Sequence, residues 1–492
     1  MLRLQGGQVE SLWDELLPEE VRKLPGDLAV IDELLRDETL FAPIEAHWQR
    51  EAEERGRSAK EHGRPTISMA TYIRLMVVKQ RTGWGYETLV REVSDSLHLR
   101  RFCLIPLQAS VPDESTVRKL TRRLGPETVA ELTRALIRKA QRETRFRAGA
   151  VRIDSTVVEA DVRYPTDAGL AQQGVRALAR EARKLRWLVG QTETRVRDRS
   201  QAVGKRFRAI SRTTRRRTGE AKAELLRLTG EAGRLLAASA REARRLAAEA
   251  RRLAAAQARA GTSQGQRRPA RALRALERLE TMAVRCERVV EQIGKRLLRE
   301  PIKDRLVSLF DPDARPIRKG KQGKLTEFGY VEQLAEVTPH TKPGARGFLL
   351  PPATAPGNQG ENELLPTTIS ELQALGLKPR EVALGGGFQT KSSEQALAPL
   401  ALERVYIAGR ASPASRRTQR RLARYRTGAE GRISHLKRRY GLRRSRLKGA
   451  GLLLRRHGRN LHAGQAEQWT RDWFHGHGLH RLGGTIRYPG VA

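Results

Sequence analysis

The chain has 492 residues, 39% of them hydrophobic, which is enough for roughly three domains with buried cores. Its 95 Lys and Arg against 55 Asp and Glu leave a net charge of +40, a surplus that favours a polyanionic partner, nucleic acid first. No apolar stretch approaches the roughly 20 residues of a membrane span, and MLRLQGGQVE is not a signal peptide. GC-rich coding raises an Arg count, but it does not account for the shortage of acids. Cys103 and Cys286 each stand alone, which argues against a disulfide scaffold or zinc site and fits a reducing cytoplasm.

Residues 1–145 read as an all-α N-terminal domain. Ser68 caps SMATYIRLMVVKQRTG, in which Tyr72, Leu75, Met76 and Lys79 share a side. VPDESTVRKLTRRLG opens on Pro112-Asp113 and spaces Val117, Leu120 and Leu124 at helical intervals, with Arg118, Lys119, Arg122 and Arg123 on the other side. That pattern suits a helix-turn-helix that lays a basic helix in a DNA groove, and it suits a helical dimerisation domain equally well. From 150, VRIDSTVVEADVRYP is β-branched and predicts a strand or a bent pair.

Residues 175–299 return to helix. Leu228 and Leu235, then Leu246 and Leu253, lie seven apart, and GTSQGQRRP breaks the run at 261–269. A second helix follows, with Leu273, Leu276, Met282, Val289, Ile293 and Leu297 expected on its inner face. The segment predicts an inserted helical hairpin or small bundle. Its simplest reading is a solvated bundle, although its Arg-rich face suits DNA and its leucine seam suits dimerisation. RLVSLFDPDARPI and FGYVEQLAEV read as strands, with GFLL a further short one. TISELQALGL reads as helix, EVALGGGF as strand, SEQALAPLAL as helix and RVYIAGR as strand, an alternation that points to an α/β sheet. TGAEGRISHLKRRYGLRRSR is a basic helix. The tail, 465–492, reads as a poorly structured terminus; its His475, His477 and His480 have no Cys or carboxylate among them and do not read as a metal site.

Asp154 falls within an otherwise apolar strand. A carboxylate there needs compensation, either from a hard cation or from hydrogen bonds to Ser155 and Thr156. Both readings are open on local sequence. Glu430 has Arg426 four residues before it and Lys437 seven after it, so the three share a helical face. They form either a metal ligand flanked by phosphate-gripping cations or a surface ion-pair ladder. Val382-Ala383-Leu384 ends in three glycines, so this strand tip carries no side chain at Gly385. The run lacks GxxxxGK[ST], which excludes a nucleotide-binding loop.

RIDSTVVEADVRYPTDAGL, FDPDARPIRKGK with TEFGY, and AEGRISHLKRRYGLRR, together with GRPTISMATYIRLMVVKQRTGWGYETLVREV, resemble bacterial insertion-sequence DDE transposases of the ISNCY type. The resemblance spans about residues 40–465. It implies an α/β ribonuclease H-like catalytic domain with a mixed sheet, formed by 146–174 plus 300–450, interrupted by the α-helical insertion 175–299 and preceded by a DNA-binding N-terminal domain. In such an enzyme three carboxylates hold two Mg²⁺ ions, with Mn²⁺ able to replace them. Carried over by position, Asp154 is the first carboxylate and Glu430 the third. Arg426 and Lys437 match two members of a Y-R-E-K signature whose tyrosine falls on Ala423, two residues from Tyr425.

The second carboxylate belongs in a V-A-x-D-x-G-F pattern, and Gly385 occupies its place, one base change from aspartate. Glu381, four residues upstream, lies too far along the strand to substitute for it, and Glu394, in the next helix, could approach only if the glycine loop folds back. Impaired cleavage with intact DNA binding is the expected consequence. The implied partner is double-stranded DNA, both transposon ends and target, gripped by Arg118, Lys119, Arg122, Arg426 and Lys437. The implied setting is a homo-oligomer on DNA at the nucleoid, with no membrane. The alternative is a catalytically inactive DNA-binding derivative that occupies transposon ends. A coiled-coil scaffold or RNA-binding protein would follow if 150–174 and 300–440 did not share a sheet.

Overall fold

Val151, Ile153, Val157 and Val158 are stiff, β-branched residues, and the chain around them is a single long strand, β1 (Ala150–Ala160). The computed structural model describes residues 1–5, 16–56, 58, 65–124, 126–144, 146–190, 192–216, 218–259, 267–318, 325–357 and 359–445. The histidine-bearing tail and residues 261–266 of the break expected at 261–269 lie outside them, and the rest of that break opens the helix Arg267–Leu297. The chain divides into two units: residues 1–159 with 331–355 and 359–492, and residues 160–330 with 356–358.

The first unit opens with short helices. Met69–Thr82 is capped by Ser68, whose Oγ accepts from the Thr71 N–H at 3.0 Å, and it stops at Gly83 in the left-handed conformation. Glu114–Arg123 is capped by Asp113, which accepts from the Ser115 N–H at 2.7 Å. Tyr72, Leu75, Leu89, Phe102 and Val117 are fully buried where these helices meet. Arg74 is buried with them and donates to Asp32 at 2.8 Å, so its charge is compensated inside the core.

Most of a mixed sheet falls in the same unit. β3 (Glu327–Thr338), β1, β6 (Glu381–Leu384) and β7 (Arg404–Ile407) lie side by side in that order. β4 (Phe348–Leu349) and β5 (Ala353–Pro356) pair with β3, and β8 (Arg444–Ser445) pairs with β1. β1, β6 and β7 run parallel, with Ile153 beside Leu384 and Leu384 beside Ile407. β1 is buried on both faces, as a central strand must be, which explains its apolar run. Helices Pro126–Glu143 and Glu361–Ala374 supply Leu136, Ile137, Leu365, Ile369 and Leu372 to the core shared with Val151, Ile153, Val382 and Leu384. Residues 150–160 and the strands within 327–407 thus share one sheet.

Several elements differ from expectation. RLVSLFDPDARPI yields only β2 (Arg315–Ile317), paired with the start of β3; Leu306, Val307 and Leu309 are buried without joining a strand. The glycines after β6 turn into a short 3₁₀ segment, Gly386–Phe388, pinned by the fully buried Phe388. The helix expected from TISELQALGL begins earlier, at Glu361. It runs through Pro366, which forgoes only the bond that would close on Asn362. The last basic helix likewise begins earlier, and spans Arg416–Arg439.

Among the described residues the second unit contains four long helices, Asp167–Val189, Ser200–Thr213, Gly219–Arg259 and Arg267–Leu297. Its core is alanine-rich: Ala232, Leu236, Ala240, Ala243 and Leu246 meet Ala275, Leu279, Ala283, Cys286 and Ile293. Small residues let the helices approach closely; a Cβ on Gly174 would lie 2.7 Å from Leu236 and 3.0 Å from the Cys286 sulfur. Two residues expected inside are outside, Leu273 at 53% and Leu297 at 40% exposure, because the alanine seam and not the leucine spacing sets the buried face. Residues 160–174 and 300–330 belong to this unit. Asp167 takes ion pairs from Arg296 at 2.5 Å and Arg305 at 2.8 Å, and Leu306 and Leu309 join its core. Burial raises the thiol pKa of Cys286 to about 12 and pushes that of Cys103 up as well, which disfavours the thiolate of each.

Candidate active site

Parallel pairing brings the end of β6 beside the middle of β1. Ile153 lies opposite Leu384, so the next residues along, Asp154 in the middle of β1 and Gly385 just past the end of β6, stand side by side. A methyl group built on Gly385 would lie 3.2 Å from Asp154 Oδ1, 3.7 Å from an Arg426 guanidinium nitrogen and 3.7 Å from Glu361 Oε2. The vacant position faces charged groups from three elements.

The helix Arg416–Arg439 carries Arg426 and Glu430 to this point. Arg426 donates to Asp154 Oδ2 at 3.2 Å and pairs with Glu430 at 2.8 Å, so one guanidinium joins the two carboxylates. The helix is held by buried contacts. Arg152 of β1 donates to Glu336 of β3 at 2.6 Å and to the Tyr425 carbonyl at 3.2 Å. Arg432 donates to the Gly347 carbonyl at 2.9 Å and pairs with Glu336 at 3.1 Å. Tyr425, excluded from the signature position by spacing, is buried and shares a 2.7 Å hydrogen bond with Thr338, a structural role. Gly428 permits the close approach: a Cβ there would lie 2.6 Å from the Arg152 guanidinium carbon.

Asp154 is 8% exposed, and Glu430 has a side chain 59% exposed. Burial raises the Asp154 pKa above its ordinary value. The Ser155 backbone N–H, at 2.9 Å from Oδ1, and Arg426 oppose the rise, while the charges of Glu361 and Glu430 add to it. The Ser155 bond is one of the two compensations foreseen for Asp154; the Thr156 bond is not among those seen. Among the described residues no three acidic, His or Cys side chains close into a metal cage as the site stands, with Arg426 between Asp154 and Glu430.

Other candidate residues lie elsewhere. Lys437 is half-buried, roughly 10 Å beyond Glu430 along the helix. Arg118 pairs with Glu114 at 2.8 Å and lies over the Tyr86 ring at 5.5 Å, whereas Lys119 and Arg122 are exposed on the helix Glu114–Arg123. Glu381 is committed at the far end of β6, where Arg421 donates to it at 2.5 Å, Arg404 at 3.0 Å and Thr341 at 3.0 Å. Glu394 pairs with Arg410. Sequence reasoning missed Glu361, because it lies in a Pro/Gly-rich stretch read as loop, and only the fold brings it to β6. The one signal was the E-N-E-L-L run, with acids in what proves to be the first turn of a helix.

Residues 21–123 match the model of a family described as a transposase domain (DUF772). No curated protein and no solved structure proved similar to the chain. The match covers the helical N-terminal region, and it supports a transposase.

Proposed function

We propose that the chain is a DDE-type transposase that binds the terminal inverted repeats of an insertion sequence and cuts and joins DNA with divalent cations at Asp154 and Glu430. One observation carries the reading: the buried Asp154 in the middle of a central strand stands beside the end of a parallel strand, under a late helix whose Glu430 it meets through Arg426. That juxtaposition is what the ribonuclease H-like resemblance implies, and the match at 21–123 supports the coarser reading of a transposase. The donors are hard carboxylate oxygens of the kind Mg²⁺ or Mn²⁺ takes, and the glycine at 385 leaves room beside Asp154 for a cation once Arg426 leaves the two acids.

When bound, such cations activate the attacking oxygen and stabilise the leaving one. Asp154 and Glu430 would hold them, on the strand and the helix that carry the two carboxylates. Arg426 shifts from bridging the acids to meeting a DNA phosphate. Lys437 extends the cationic face along the same helix, and Lys119 and Arg122 offer phosphate contacts on the N-terminal helix. The chain acts as a homo-oligomer on paired DNA ends at the nucleoid. No side-chain nucleophile is needed, because water and then a DNA 3′-hydroxyl attack phosphorus.

Gly385 favours a second reading, a copy that occupies transposon ends without cutting them. Incubating a duplex bearing the element's terminal repeats with Mg²⁺ or Mn²⁺ and either the native chain or Gly385→Asp separates the two. Cleavage by the native chain identifies an active enzyme. Cleavage by the variant alone identifies an inactivated one. Binding of the repeats without cleavage by either protein would end the catalytic reading.

A further inference from the structure

The strand tip lacks a carboxylate, yet one reaches the same place from a different element. Glu361 is the first residue of the helix Glu361–Ala374, and its Oε2 lies 3.7 Å from the point where a Gly385 side chain would begin. Asp154 Oδ1 faces the same point from 3.2 Å, and its other oxygen takes Arg426.

Gly387 makes this arrangement possible. A Cβ at Gly387 would lie 2.7 Å from the Glu361 carboxyl carbon and closer still to Oε2, so any other residue there would displace the glutamate. The backbone of Glu361 is fixed as well. Its carbonyl accepts from Gln333 of β3 at 2.8 Å, and Gln333 in turn accepts from Thr368 of the same helix at 2.6 Å. The neighbouring Asn362 donates to Ser392 at 3.0 Å. The glycine-rich turn is therefore more than the scar of a lost aspartate: it is shaped around the end of Glu361.

We propose that Glu361 is the carboxylate that serves in place of the aspartate missing at Gly385, ligating a divalent cation together with Asp154, with Gly387 as the residue that gives it access. This rests on the transposase reading of the site. It predicts that the native chain retains a three-carboxylate centre, assembled from β1, the helix Glu361–Ala374 and the helix Arg416–Arg439.

The test is Mn²⁺ binding to the full chain without DNA, followed by electron paramagnetic resonance of the free ion with Mg²⁺ as competitor. Asp154→Asn should abolish the Mg²⁺-competed site. Glu361→Gln should weaken it about 10–100-fold or more, and Gly387→Ala should do the same by expelling Glu361. Glu363→Gln, an exposed acid on the same helical turn, should leave it unchanged. Adding Gly385→Asp to Glu361→Gln should recover binding, which also shows that the variant folds. If Asp154→Asn abolishes binding while Glu361→Gln binds as the native chain does, Glu361 is no ligand and the metal reading stands without it. An equal loss from Glu363→Gln would reduce the effect to general charge and overturn the assignment. If binding is indifferent to Asp154→Asn, the metal site itself is misplaced and both readings fall.

Discussion

Gly428 sets how near the helix bearing Glu430 comes to the sheet. The Arg152 guanidinium under it is not a loose side-chain end: it is buried and donates to Glu336, Tyr425 and Ala345. Gly428→Ala should therefore cost about 1–3 kcal/mol through overpacking, even though alanine is the better helix former. Urea unfolding checks this, and an unchanged midpoint would mean that Arg152 moves aside freely. Glu381 offers a pH-dependent counterpart. Although burial pushes its pKa up, hydrogen bonds from Arg421, Thr341 and Arg404 outweigh burial and hold it below the ordinary glutamate value of 4.5. Its contribution to stability is complete above that value and is lost as pH falls through it toward the lower folded value. Glu381→Gln should cost about 1–3 kcal/mol at pH 7. The gap from the native chain should close in strong acid; a gap independent of pH would show that packing, not charge, is responsible.

At the scale of elements, the helical unit shows composition overriding spacing. Its leucines suggest heptads, but alanines line the interface and decide which large residues are enclosed. Leu246 is fully buried and Leu273 is 53% exposed. Leu246→Ala should destabilise this unit by about 2–5 kcal/mol, whereas Leu273→Ala should stay within about 0.5 kcal/mol. Thermal unfolding of the two variants distinguishes this packing from the leucine-faced helix that spacing suggests; equal losses would restore the latter. The helix Glu361–Ala374 teaches a related lesson. Proline and glycine around it read as loop, yet its apolar Leu364, Leu365, Ile369 and Leu372 find a core that repays the proline.

For the whole molecule, the charge of +40 sets the expectation for binding. Affinity for duplex DNA should fall steeply and linearly on a log–log plot against salt, since each neutralised phosphate releases counterions. Lys119→Ala and Arg122→Ala should each reduce the slope by about 1, with uniform weakening across sequences, if that helix contacts phosphates. Fluorescence anisotropy across a salt series measures both. Slopes unchanged by these variants would move the DNA contact off that helix. Among the described residues no helix is long and apolar enough to cross a membrane.

The amino-acid sequence by itself determined the pieces that depend on local chemistry. Ser68 and Asp113 cap helices because their oxygens reach backbone donors two or three residues on. β1 follows from clustered β-branched residues, and the empty tip of β6 from its glycines. The placement of Asp154 beside Gly385 followed from resemblance, and strand pairing then gave it a geometry. Only the tertiary structure decided the rest. Glu361 meets Gly385 across a sequence gap that no periodicity spans, because β6 lies beside β1 and the helix before it packs on the same sheet. Arg152, Glu336 and Gly428 lie far apart in the chain and converge only where helix meets sheet. Local pattern records what each segment prefers, while long-range packing selects which side chains meet at the end of β6.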